Sequence, residues 1–268
     1  MSATTGDNRP GVGPDAPVAP PRRPLVILAL PAFNEAENLP PLLHAARRVF
    51  AESGLDHRML VVNDGSTDGT GEVLDALAAE GLPVERVDHP RNRGLGGAIR
   101  TAIHEALARS EHPDDIIVNM DADDTHDPAY IPGMVAKIRD EGHDIVIASR
   151  FRDGSREVGV PLGRRILSRG ARVLFRLFLR LPEVRDYTCG YRAYRASVLR
   201  QAVEKYGERL ITREGFACTD ELLVHLSTAT RRVTEVPFVL RYDKKRGRSK
   251  LPLLRTVWET LKMLVLKH

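Results

Sequence analysis

The chain has 268 residues, 42% hydrophobic and 28% charged, which is enough for one large α/β domain or two small ones with a sizeable core. A net charge of +4 suits an anionic partner, but few aromatics are interleaved with the basic residues to stack bases, so nucleic acid is not expected. Cys189 and Cys218 lie far apart without metal-ligand spacing and no apolar run approaches a membrane span, so a disulfide framework is excluded and a reducing, cytoplasmic setting fits.

Residues 1–24 are rich in Pro and Gly and lack apolar periodicity, so they read as a flexible leader. The positive start and apolar core of a secretory signal are both missing. Leu25 to Leu30 is a continuous apolar run, expected to be a first, buried strand. It ends in Pro31-Ala32-Phe33-Asn34-Glu35, where Asn34 or a neighbour is placed to cap a helix whose inner face is Leu42, Leu43, Ala46 and Val49. Arg58 to Asn63 predicts a second strand, closed by Asp64-Gly65-Ser66-Thr67-Asp68-Gly69-Thr70. A turn with a helix cap accounts for that composition, and a carboxylate there is also placed to accept hydrogen bonds from a nucleobase edge.

Val84 to Val87 predicts a third strand, followed by His89-Pro90-Arg91-Asn92-Arg93-Gly94-Leu95-Gly96-Gly97 and a helical face of Ile99, Ile103, Ala106 and Leu107. The glycines bring helix amides near an anion or allow close helix-to-sheet packing. Their spacing is not that of a dinucleotide fingerprint. Ile116 to Met120 is the fourth strand, a helix is expected from about Pro128 to Asp140, and Asp144 to Ala148 is the fifth strand, ending in Ser149-Arg150. This alternation argues for a Rossmann-like, mostly parallel sheet flanked by helices. Its carboxyl-end loops gather Glu35, Asp64, Asp121 and Arg150, a set that suits a nucleoside diphosphate.

The densest chemistry follows the fourth strand, in Asp121-Ala122-Asp123-Asp124-Thr125-His126-Asp127-Pro128. Asp121 and Asp123, leaving a strand end two residues apart, can turn toward one hard divalent cation and leave positions for phosphate oxygens and water. A calcium loop of the EF-hand type fails, because its sixth and twelfth positions hold His126 and Pro132 instead of Gly and Glu. An aspartyl nucleophile of the haloacid-dehalogenase type uses the same Asp-x-Asp-x-Thr order. The plain alternative is a helix start, with Asp127 as cap and Pro128 at the first helical position.

The second half changes character. Leu162 to Leu181 mixes apolar residues with arginines at 164, 165, 169, 172, 176 and 180. Such a helix lies either in a membrane interface or packed on the sheet. Asp186 to Arg192 reads as a polar loop, a helix starts at Ala196, and Phe216 to Leu226 places Asp220 and Glu221 at the start of another. Val233 to Leu240 is extended and interrupted by Pro237. It leads into the basic run Lys244-Lys245-Arg246-Gly247-Arg248-Ser249-Lys250. Leu251 to His268 is an amphipathic terminal helix.

Taken together, Pro31-Ala32-Phe33-Asn34-Glu35, Val62 to Thr70, Asn92-Arg93-Gly94-Leu95-Gly96, Asp121-Ala122-Asp123 and Gly247-Arg248-Ser249-Lys250 resemble the ordered motifs of family 2 inverting glycosyltransferases. The second half resembles the dolichyl- or polyprenyl-phosphate mannosyltransferases within that family. The match spans Leu25 to about Leu254 and leaves no place for the haloacid-dehalogenase reading. The resemblance implies a GT-A fold over residues 25–250 that uses a nucleotide sugar and Mg²⁺ or Mn²⁺. It implies that Pro31, Ala32, Glu35 and Asp64 hold the nucleoside, and that Asp121 and Asp123 hold the metal. Lys244, Ser249 and Lys250 would close over the diphosphate, and Arg150, Arg164 and Ser168 would bind the acceptor phosphate. The family often has Gln where this chain has Thr125 and Arg where it has Lys244; Lys keeps the charge but loses the bidentate fork.

The implied reaction is inversion at the anomeric carbon of a hexose, mannose or glucose, carried by GDP-mannose or UDP-glucose. A polyprenyl phosphate acceptor is already anionic and needs no strong base. A soluble hydroxyl acceptor needs one, for which Asp220, Glu221 and Asp186 are the candidates. The first alternative places the enzyme peripherally on the cytoplasmic face of a membrane, with a membrane-anchoring protein as a further candidate partner.

Overall fold

The computed structural model describes residues 22–179 and 181–244. The expected terminal helix 251–268, the loop residues Ser249 and Lys250, and leader residues 1–21 lie outside the described residues. Arg22, assigned to the leader by composition, already belongs to the fold: its guanidinium meets Asp115, which also accepts the backbone N–H of Leu25 at 3.0 Å.

The elements run β1 (Val26–Ala32), α1 (Leu39–Ser53), β2 (His57–Asn63), α2 (Thr70–Ala79), β3 (Val84–Asp88), α3 (Gly94–Arg109), β4 (Ile116–Asn119), α4 (Ile131–Arg139) and β5 (Ile145–Ser149). There follow β6 (Arg156–Val158), α5 (Leu162–Leu179), β7 (Arg192–Arg195), α6 (Ala196–Tyr206), α7 (Ala217–Leu226), β8 (Val233–Pro237) and β9 (Val239–Arg241). A seven-stranded sheet has the order β3-β2-β1-β4-β7-β5-β8. All its neighbours are parallel except β7, which is antiparallel to both β4 and β5. β1 and β4 are buried on both faces, as continuous apolar strands of an α/β sheet must be. Helix α1 contacts α2 and α4, and α3, α6 and α7 contact one another.

The polar loop expected from Asp186 to Arg192 ends one residue into β7, a strand missed in the sequence because Arg192-Ala193-Tyr194-Arg195 carries a charge at each end. The fold gives both guanidiniums partners. Arg192, fully buried, donates to the carbonyls of Thr219 and Tyr187 at 2.6 Å, and Arg195 reaches Asp144 at 3.2 Å. Pro237 ends β8, only Phe238 stands between it and β9, and β9 leaves the main sheet to pair with β6. This break returns the chain to the acidic loop, where Arg241 N donates to the carbonyl of Thr125 at 3.1 Å.

Candidate active site

Three parallel strands, β2, β1 and β4, deliver their carboxyl ends to one edge of the sheet. Pro31 and Ala32 close β1 and are buried. Asp64 follows β2, its N–H bonded to the carbonyl of Ala32 at 2.8 Å. The Asp64 Oδ1 atom accepts from His89 Nδ1 at 2.5 Å and from Arg93 N at 2.9 Å. Gly65 has φ +67°, and a Cβ there would sit 2.4 Å from the carbonyl carbon of Arg91, so only glycine lets the two loops approach.

The loop after β1 is tied to the loop after β2. Asn34 N donates to Ser66 Oγ, Thr67 N to Asn34 Oδ1, Glu35 N to Thr70 Oγ1 and Ala36 N to Asp68 Oδ2, all between 2.8 and 3.1 Å. Neither Asn34 nor Asn38 caps α1 with its side chain, contrary to expectation. Asn34, at φ 56°, is spent on the cross-loop bond instead, and Asn38 Nδ2 holds the Glu35 carboxylate at 2.7 Å. Burial pushes the Asp68 pKa up, but the Thr70 hydroxyl and the N–H of Ala36 outweigh it and leave it lowered.

Past β4 the chain turns sharply, with Asp124 at φ 56°. Thr125 donates to Asp123 Oδ1 through both Oγ1 (2.6 Å) and N (3.2 Å), so its hydroxyl fixes the carboxylate next to it. His126 is buried, stacks on Tyr191 at 5.2 Å and meets the edge of Phe238, and its Nδ1 accepts from Asp121 N at 3.4 Å. Asp127 then caps the short 3-10 turn at 128–130 by accepting from Ala129 N, as the helix-start reading expects. A Cβ added at Gly190 would lie 3.6 Å from both Asp121 Oδ1 and the Thr219 methyl, which places the start of α7 beside Asp121. Among the described residues no three His, Cys, Asp or Glu side chains gather as a metal cage. Two hard carboxylates at a strand end fit a hard divalent cation that keeps water and phosphate oxygens in its shell rather than taking an all-protein set.

The three acids considered as bases have separate fates. Asp186 is buried and pairs bidentately with Arg150 at 2.7 Å on each arm. Burial works against both charges, but their mutual attraction dominates, raising the Arg150 pKa and lowering that of Asp186. Glu235 accepts the N–H groups of Arg185 and Asp186 at 2.7 and 2.6 Å and so holds this loop. Glu221 accepts Thr212 N, Thr212 Oγ1 and Arg213 N between 2.6 and 2.9 Å, a staple for the loop before α7. Asp220 is buried in the first turn of α7, and both it and Asp121 push up the thiol pKa of Cys218, after burial itself.

Arg150 Nη2 also donates to Thr188 at 2.7 Å, while Nη1 has no hydrogen-bond partner among the described residues. Arg150 and Arg172 lie over the Phe151 ring, 5.4 and 5.2 Å from its centroid, which joins the end of β5 to α5. Arg164 and Ser168 are on α5, four residues apart. Phe175 packs inward on Tyr187, whereas Leu162, Val173 and Leu177 are 70%, 61% and 65% exposed, and Arg169, Arg172, Val173, Arg176 and Leu177 line a groove. Lys244 lies 3.8 Å from Asp124, the rim of the acidic loop. His89 and Glu235 had no role in the sequence reading, and Thr125 entered it only as the residue standing where the family often has Gln. His89 was the findable one, as a histidine directly after β3, next to β2, which Asp64 follows.

The description "Glycosyl transferase family 2" matches residues 28–202. The chain is 34% identical over 226 residues to an undecaprenyl-phosphate mannosyltransferase of Micrococcus luteus, covering 84% of this chain and 87% of that one. It is 33% identical to a polyprenol monophosphomannose synthase of Mycolicibacterium smegmatis, covering 92% and 88% respectively. Among solved structures, glucosyl-3-phosphoglycerate synthase of Mycobacterium tuberculosis, in complex with Mg²⁺ and uridine diphosphate, superposes with a TM-score of 0.65 at 20% identity, over 91% of this chain and 79% of that one. The fold is accordingly GT-A, and the chain belongs to glycosyltransferase family 2.

Proposed function

We propose that the enzyme transfers a hexose, mannose before glucose, from a nucleotide sugar to a polyprenyl phosphate at a membrane surface. The observation that carries this reading is α5, which exposes Leu162, Val173 and Leu177 beside arginines, one of them linked through Phe151 to Arg150. Exposed leucines among arginines suit the boundary between acyl chains and headgroups. No helix among the described residues is long and apolar enough to cross a membrane. In this reading the enzyme acts as a peripheral protein on the cytoplasmic face, with α5 as its membrane contact. Relatives named for undecaprenyl-phosphate and polyprenol substrates support the same acceptor.

In this reading Asp64 takes the base and Glu35 the nucleoside, with Pro31 and Ala32 as the floor. Asp121 and Asp123 hold a divalent cation, which when bound supplies positive charge against the diphosphate. Thr125 keeps Asp123 oriented rather than serving as a ligand itself. Lys244, Ser249 and Lys250 bind the diphosphate. Arg150, held by Asp186, presents Nη1 to the acceptor phosphate, with Arg164 and Ser168 from α5. An anionic phosphate oxygen attacks the anomeric carbon opposite the leaving group without losing a proton, so no base is required. This agrees with Asp186 and Glu221 being committed to structure.

The test is the purified full-length chain with radiolabelled GDP-mannose or UDP-glucose, Mg²⁺ and a short polyprenyl phosphate. A lipid-extractable labelled product is expected. No product from either donor, or label passing only to a soluble hydroxyl acceptor, would overturn the reading.

A further inference from the structure

The carboxylate of Asp64 is oriented by a chain of buried groups that spans three elements. Parallel pairing of β2 with β3 sets Asn63 opposite Asp88, so the next residues, Asp64 and His89, leave the sheet side by side. The backbone N–H of His89 bonds to the carbonyl of Asn63 at 2.9 Å, which locks the imidazole against the aspartate. Both side chains are almost fully buried. His89 Nδ1 lies 2.5 Å from Asp64 Oδ1, and His89 Nε2 lies 2.9 Å from the hydroxyl of Thr101 on α3.

The chemistry of the groups assigns the hydrogens. A carboxylate only accepts, so Nδ1 carries the hydrogen, and in the Nδ1–H tautomer Nε2 accepts from the Thr101 hydroxyl. Oδ1 therefore receives His89 and the N–H of Arg93 together. Among the described residues nothing bonds to Oδ2. The carboxylate cannot rotate without breaking both bonds at Oδ1, so one oxygen is anchored in the protein and the other is fixed as an acceptor for a ligand.

We propose that His89 is a positioning residue for the donor nucleobase. Through Nδ1–H it holds the Asp64 carboxylate so that Oδ2 meets the imino N–H of a keto base, N1–H of guanine or N3–H of uracil. Thr101 holds the ring in the tautomer this requires. The proposal rests on Asp64 being the base-binding acid. It deepens that assignment by making base discrimination depend on a residue that never touches the nucleotide. Adenine, whose corresponding nitrogen is an acceptor, is repelled by a carboxylate held in this way.

The experiment measures dissociation constants of GDP, UDP, ADP and inorganic pyrophosphate, with Mg²⁺, on the full-length protein and on Asp64→Asn, His89→Leu, His89→Asn and Thr101→Val. His89→Leu is expected to weaken the better-bound of GDP and UDP about ten- to hundredfold, the scale of a hydrogen bond to a charged group. Its preference over ADP should narrow while pyrophosphate binding stays unchanged. His89→Asn, whose amide N–H sits where Nδ1–H did, is expected to recover most of the affinity, and Thr101→Val to fall between. A packing role alone would not give rescue by Asn together with unchanged pyrophosphate affinity. If Asp64→Asn weakens keto-base binding but the His89 and Thr101 variants do not, the positioning role is overturned while the base assignment stands. If Asp64→Asn itself leaves base preference unchanged, the assignment and the proposal built on it both fall. Should His89→Leu not fold, the His89→Asn and Thr101→Val pair decides: loss in Thr101→Val without loss in pyrophosphate binding supports the proposal, and wild-type discrimination in Thr101→Val overturns it.

Discussion

Arg150 and Asp186 meet as a buried, two-armed ion pair at 2.7 Å, and this pair connects the end of β5 to the loop that leads into β7. Such a pair is hard to break and easy to replace, because removing one partner strands the other charge away from water. Asp186→Asn is expected to destabilise the protein by about 3–5 kcal/mol at pH 7. The double variant Arg150→Met/Asp186→Leu should recover much of that. Urea denaturation of the two singles and the double measures it.

The same pair sets an acid limit. The folded-state pKa of Asp186 lies below the ordinary aspartate value of 3.8, so its contribution to stability is present above that value and lost as pH falls through the folded-state value. Melting temperatures followed downward from pH 5 should drop more steeply in the wild type than in Asp186→Asn. Parallel slopes would remove Asp186 from the acid response.

Asp123→Asn is expected to lower turnover about a hundredfold, equivalent to about 2.7 kcal/mol of transition-state stabilisation, with little change in thermal stability. Thr125→Val should act in the same direction but through metal affinity, about ten- to hundredfold weaker by titration with Mn²⁺, because the lost hydroxyl orients Asp123.

Glu221→Gln separates a staple from a base. It weakens three hydrogen bonds to residues 212 and 213, so a loss of about 1–3 kcal/mol in stability is expected. Turnover by the folded fraction should stay close to wild type, and a large loss of turnover at unchanged stability would restore Glu221 as a catalytic acid or base.

Leu177→Asn together with Val173→Asn is expected to lower partitioning onto vesicles containing anionic lipid by about tenfold or more, since each removes an exposed apolar side chain worth up to about 1.5–3 kcal/mol when buried. Cosedimentation checks this, and unchanged binding would move the membrane contact away from α5.

The sheet was legible because its parallel strands are buried on both faces and therefore spelled as apolar runs such as Ile116-Ile117-Val118. The strand-end position of the candidate acids was legible because Asp121, Asp123 and Asp64 stand directly after such runs. β7 was not, since its end residues are charged and only the surrounding carbonyls and Asp144 make a strand there tolerable. The sequence by itself thus determined the layer order, the family and the candidate acids, all of which depend on local pattern. Tertiary structure alone decided which acids are committed. Whether Asp186, Glu221 or Asp64 spends its oxygens on the protein or on a ligand depends on partners 36, 9 or 25 residues away, Arg150, Thr212 and His89, and local pattern carries no trace of those distances.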